Sequence, residues 1–315
     1  MEATISRRRF ITAAGITTAA LWLRPGTLLG AASESPVVTI RNAAGSARIN
    51  LTKLRGNLSM LDGSGGNITV LTGPDGKVLV DAGIPASRAA LTKVLDGLGS
   101  QPIKHVINTH WHFDHTDGNE WLHSLGAEIV AHEKTRERMS TSTRVEDWNF
   151  TFPPSADGAL PTRLVQDEET LQLNGSAIAL KHYGPAHTDT DLSVYFEDAD
   201  VLCAGDTWWN PYYPFMDYST GGSIDGHIRA AAANVARAGA KTIVVPGHGR
   251  SGGKAELVAF HDMLLDVREK VARLKAQGRS LKEVVAAKPT ARYDAKFGGF
   301  VVKGPAFAGL VYAGV

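Results

Sequence analysis

The sequence predicts an α/β protein built in layers, and three features of it carry that reading. Between Arg48 and Asp81, short apolar runs alternate with glycine-rich turns, as strands of a meander do. After Lys104, strand-like and helix-like segments take turns, the order expected when helices pack on the faces of sheets. Leu257, Phe260, Leu264, Val267, Val271 and Leu274 recur by threes and fours, which marks a long helix with one core-facing stripe.

The meander comprises runs from Arg48 to Leu54, Leu58 to Leu61, Ile68 to Leu71 and Val78 to Val80, broken at Gly63-Ser64-Gly65-Gly66 and Gly73-Pro74-Asp75-Gly76. Pro85 to Leu98 carries helical spacing and stops at Gly99. Lys104 to Asn108 reads as a buried strand, followed by strands at Ala177 to His182, Leu192 to Phe196, Val201 to Ala204 and Thr242 to Val245. Ser223 is placed to cap a helix running from Ile224 toward Gly239. Met139 to Pro161 reads as an irregular insertion. With no repeat and no low-complexity tract, residues 33–315 are expected to form one domain.

The first 32 residues are of another kind. Ser6-Arg7-Arg8-Arg9-Phe10 precedes a mildly apolar run from Ile11 to Leu23 and the small residues Gly30-Ala31-Ala32. That run is short for a bilayer span. The whole reads as a cleavable export signal, and its adjacent arginines resemble the twin-arginine type. The protein is therefore expected in the periplasm or secreted, without stable membrane association once the signal is removed. Because twin-arginine systems move folded proteins, the resemblance implies folding before export. Removing residues 1–32 takes four arginines and one glutamate from 33 basic and 32 acidic residues, leaving 29 and 31 and a formal charge of −2. With neither a net positive charge nor a basic block, nucleic acid is excluded as a partner and a small-molecule substrate is expected. The single cysteine, Cys203, allows no internal disulfide.

His110-Trp111-His112-Phe113-Asp114-His115 follows directly on the strand ending at Asn108. Four ligand-type side chains in six residues are hard to explain as packing, and imidazole with carboxylate suits zinc and its first-row neighbours. Residues two apart aim His110 and His112 one way, while Asp114 and His115 face a second point. Three further candidates, His187, Asp206 and His248, lie in glycine-containing turns where strands end, in Gly184-Pro185-Ala186-His187, Gly205-Asp206 and Gly247-His248. Convergence of four strand ends makes one site.

This ordered set, His-x-His-x-Asp-His followed by His, Asp and His, resembles the metallo-β-lactamase superfamily over almost all of residues 33–315. The resemblance implies a four-layer αββα sandwich. It assigns His110, His112 and His187 to one metal and Asp114, His115 and His248 to a second, with Asp206 bridging. It implies two divalent ions, zinc first and iron or manganese as alternatives, and a hydroxide held between them as nucleophile. Asp114 and Asp206 are then the carboxylates closest to catalysis. Asp81, at the end of the Val78 to Val80 strand, resembles the buried aspartate that orients a ligand histidine.

His105, His123, His132, His182, His227 and His261 match no motif position and read as structural or surface residues. Cys203 lies three residues before Asp206 inside an apolar strand and reads as a buried, inert thiol. An aspartate at 206 shifts the resemblance toward hydroxyacylglutathione hydrolases, lactonases, phosphodiesterases and related esterases, and away from lactamases with a cysteine ligand. Trp208, Trp209, Tyr212 and Tyr213, in the ring-dense segment Trp208 to Phe215, are expected to wall the substrate pocket, with Tyr212, Tyr213 or Tyr218 offering a hydroxyl to a developing oxyanion.

The function expected from the sequence is an exported dinuclear metal-dependent hydrolase of ester, thioester, lactone or related bonds. β-Lactam hydrolysis is the nearest alternative. An iron-dependent oxygenase of the same superfamily is an alternative of another class, disfavoured by the full ligand set.

Overall fold

The computed structural model describes residues 35–315, so the expected export signal lies outside the described residues. Two sheets face one another. The first has seven strands, with Asn50–Lys53, Leu58–Asp62, Ile68–Leu71 and Lys77–Val80 as an antiparallel meander, continued in parallel by Ile103–Ile107, Glu128–His132 and Arg163–Val165. The second has five, with Glu168–Leu173, Ser176–Lys181, Ser193–Phe196 and Val201–Cys203 antiparallel and Ile243–Val245 added in parallel.

Strand alternation decides which side chains meet between the sheets. Val78 and Val80 turn inward with Leu58, Met60, Ile107 and Val130 to meet Ile178, Leu180, Val194, Phe196 and Val201 of the second sheet. Leu79 and Val106 point the other way, onto Leu91 and Leu95 of the helix Arg88–Gly97 and Leu122 of the helix Asn119–Ser124. On the far face of the second sheet, Leu202 and Val244 pack on Leu257, Phe260, Leu264 and Val267 of the helix Lys254–Ala276. Each of these last four is fully buried and worth about 1.5–3 kcal/mol for leaving water. The order of layers is helix, sheet, sheet, helix, as expected.

The predicted elements are present with ends moved by a few residues. The segment from Pro85 opens as a single 3-10 turn, Pro85–Ser87, before the helix proper. Ser223 caps the helix Ile224–Arg237 by accepting from the Gly226 amide at 3.0 Å. The Met139 to Pro161 reading is corrected: the segment holds a hairpin, Thr143–Val145 paired with Phe150–Phe152 around Asn149 at φ 46°. Three-residue strands are too short for alternation to reveal. Three further helices, Leu281–Ala286, Asp294–Phe297 and Gly304–Ala313, follow the long one. Among the described residues no helix is long and apolar enough to cross a membrane.

Candidate metal centre

Three of the ligand loops leave the carboxyl ends of parallel strands, the edge where open sheets gather their functional side chains. Ile107 leads to His110, Cys203 to Asp206 and Val245 to His248. His187 comes from the loop after Ser176–Lys181, which Asp191 shapes by accepting the His187 and Thr188 amides at 2.7 and 3.0 Å. A Cβ at Gly247 would collide with the Asp206 carboxylate, and one at Gly66 with the His115 ring. The backbone at both positions has to pass where only glycine fits.

All seven predicted ligands converge. His110, His112, His187 and Asp206 form one buried group, and Asp114, His115 and His248 a second, the offered atoms of each lying within 4.8 Å of one another. Asp206 faces both: Oδ2 lies 3.4 Å from His187 Nε2 and 3.4 Å from His248 Nε2, and Oδ1 lies 3.3 Å from His115 Nε2. Asp114 Oδ2 is 3.3 Å from His248 Nε2.

A carbonyl or carboxylate behind three of the five rings selects the nitrogen presented to the centre. Asp81 Oδ2 lies 2.8 Å from His115 Nδ1, and Asp81 also accepts from the Thr109 amide and hydroxyl at 2.7 and 2.8 Å. It does so with φ at 69°, a conformation aspartate tolerates better than most residues. The Phe215 carbonyl holds His187 Nδ1 at 2.8 Å, leaving Nε2 forward. Asp217, which sequence reasoning missed, sits 3.1 Å from His112 Nε2, so this ring presents Nδ1 instead. Asp217 stands in no motif, 105 residues from His112, and only the fold brings them together.

The electrostatics fit a cation at each group. Burial first, then the neighbouring imidazoles, keep His110 well below its usual pKa. Burial opposes charge on His248 too, yet Asp206 and Asp114 outweigh it and raise the ring to about 9. His115 is raised in the same way by Asp206, Asp114 and Asp81 against its burial. The carboxylates thus hold positive charge where the second group converges. Nε2 of His110, Nε2 of His115 and Oδ1 of Asp206 are buried without a hydrogen-bond partner, a costly state for atoms that point at one another. Imidazole and carboxylate donors so disposed fit divalent metal ions.

The ring-dense segment divides. Trp209 and Tyr212 lie at the site: Trp209 pairs in register with His248 and its ring stands 4.7 Å from that imidazole. Trp208 and Tyr213 do not wall a pocket, contrary to expectation. Both are fully buried in the core on the outer face of the second sheet. The Tyr213 hydroxyl donates to the Thr290 carbonyl and Asp294, and that of Tyr218 to the Leu310 carbonyl. Neither faces a substrate. Cys203 is buried, its thiol donating to Thr69 Oγ1 at 3.2 Å, and burial pushes its pKa to about 12. It is no ligand.

Residues 61–248, more than half of the chain, match the family model described as the metallo-beta-lactamase superfamily. A hydroxyacylglutathione hydrolase of Methylococcus capsulatus is 33% identical over 124 residues, which cover 39% of this chain and 40% of that protein. A metallo-beta-lactamase type 2 of Pseudomonas aeruginosa is 29% identical over 103 residues, 33% of this chain and 36% of that one. The chain thus spans about two fifths of the length of these relatives. In structure, a sec-alkylsulfatase from Pseudomonas sp. superposes with a TM-score of 0.65 at 17% identity, covering 84% of this chain and 50% of that one. Fold, ligand order and family match agree, and the chain belongs to the metallo-beta-lactamase superfamily.

Proposed function

We propose that this chain is a dinuclear metal-dependent hydrolase of an ester, thioester, lactone or related bond, with zinc as the metal. The observation that carries the reading is Asp206, buried and within 3.4 Å of ligand nitrogens from both groups. A pair of divalent ions held there would lower the pKa of bound water and polarise the bond under attack. Asp206 would fix the spacing of the two groups. Asp114, with its carboxylate 8% exposed at the open side of the site and kept ionised against its burial by His115 and His248, would help hold the second ion beside the substrate. Trp209 and Tyr212 would exclude water from one flank.

An aspartate at 206, with Cys203 turned away, supports this reading over a lactamase that uses a cysteine ligand. The relative named as a metallo-beta-lactamase keeps β-lactam hydrolysis as the second reading. Residues 1–32 are proposed as a cleaved signal that delivers the domain 33–315 to the periplasm or beyond.

The test is a panel of esters, thioesters, lactones and lactams given to purified protein, with metal content measured in parallel. Two ions per chain and turnover of at least one carbonyl class are expected. Asp114→Ala should lose the second ion and most activity. One tightly held iron and oxygen uptake would overturn the hydrolase.

A further inference from the structure

Among the described residues, the centre is open on one side. Side chains of His110, His112, His115, His187 and Asp206 are 0–3% exposed, whereas His248 is 12% and Asp114 8% exposed. A substrate therefore approaches past His248. The ring facing it there, besides Trp209, comes from outside the segment that matches the family.

Phe300 lies 5.9 Å from the His248 ring, stacks on Tyr212 at 4.7 Å and meets Trp209 edge-on at 5.8 Å. It follows Gly298-Gly299 and is only partly buried, while Phe297 before it and Val301 and Val302 after it are in the core. The segment is pinned on both sides, since the Tyr213 amide donates to the Phe297 carbonyl at 2.9 Å and Lys303 Nζ to the Gly298 carbonyl at 3.0 Å. Such anchoring fixes where the ring stands without burying it. A phenyl ring held half out of the core at the mouth of a site keeps apolar surface that a ligand would remove from water.

We propose that Phe300 is a specificity-determining residue, forming with Tyr212 a clamp that receives an apolar acyl or alkyl group of the substrate, with the nearly buried Trp209 as its third ring and floor. This rests on the hydrolase reading for its chemistry, but not for the binding of the apolar group. The C-terminal segment supplies the clamp's outer ring and the family core the residues that would hold the ions. A preference for long over short apolar groups follows, because a longer group removes more of its own and the rings' apolar surface from water.

The experiment compares kcat/KM for p-nitrophenyl octanoate and acetate in the wild type, Phe300→Ala and Phe300→Leu, with metal content and melting temperature recorded. The octanoate-to-acetate ratio should exceed one in the wild type, fall about tenfold in Phe300→Ala and fall less in Phe300→Leu. Should Phe300→Ala not fold, Phe300→Leu decides: a ratio equal to that of the wild type overturns the proposal, as does an equal loss on both esters. Octanoate binding to metal-loaded protein, followed by tryptophan fluorescence against acetate, separates the two readings. If neither ester is turned over, ester hydrolysis fails while the clamp stands, provided octanoate binds more tightly than acetate and Phe300→Ala or Phe300→Leu removes the difference. Equal binding of the two anions by the wild type overturns the clamp.

Discussion

Asp217 Oδ2 stands 3.1 Å from Nε2 of His112, and Nδ1 of the same ring lies 2.9 Å from His187 Nε2. One carboxylate thereby decides which face of His112 joins the first group of ligands. Asp217 is itself held by the Thr220 hydroxyl and the Ser219 amide at 2.6 and 3.0 Å. Removing such an orienting partner costs about 10–100-fold in metal affinity. Asp217→Asn should show that loss at the first group in a chelator competition, with the fold intact by circular dichroism. An unchanged competition curve would show His112 to be fixed by its packing against Trp148 and Phe215 alone.

Tyr213 and Tyr212, adjacent in sequence, should separate in kinetics. Tyr213→Phe removes a hydroxyl that donates to the Thr290 carbonyl and Asp294, at a cost of about 1–3 kcal/mol, and should leave kcat/KM alone. Tyr212→Ala should change KM or kcat by about tenfold, equivalent to about 1.4 kcal/mol, with metal content unchanged. Equal kinetic effects from the two variants would argue against the division drawn between them.

His132 gives the fold a pH dependence away from the metals. Burial first, and then the His182 ring 4.2 Å away, lower its pKa to about 4. The folded chain keeps the ring neutral where the unfolded chain protonates it, so stability falls as pH drops from about 6.5 toward 4 and is insensitive to this group above that window. The effect should be of order 2 kcal/mol. In chelator-treated protein, the stability advantage of wild type over His132→Gln, from urea midpoints at pH 7.5 and 4.5, should shrink by that amount. A pH-independent difference would remove His132 from the account.

Export is predicted to require the pair Arg7-Arg8. Lysines at both positions should leave unprocessed precursor in the cytoplasm, detected by fractionation and the mass of the chain. Normal periplasmic accumulation of the doubly substituted chain would refute it.

The ligand set was legible because its chemistry is local: four donors fall within six residues, and the other three lie in glycine-containing turns after strands. What belongs to long-range packing was not. Asp217 could be joined to His112 only by the fold, and Phe300 to His248 only by the course of the C-terminal segment. The division of Trp208 and Tyr213 from Trp209 and Tyr212 follows from which side of one short loop each ring leaves. Ring density in the sequence carries no such direction.

The metal donors come from both sheets, with His110 and Asp114 on loops of the first and Asp206 and His248 on loops of the second. Asn67 of the first sheet fastens the two halves beside the site by donating to the Pro246 and Gly249 carbonyls at 2.8 Å each. Neither half alone can assemble either complete set of donors, because His187 and Asp206 complete the first and His248 the second. In a nascent chain the first set of donors is therefore complete only after residue 206 has been made and the second only after residue 248, and both only once the sheets have closed on one another. Two filled metal groups would thus mark a chain in which both sheets have been joined.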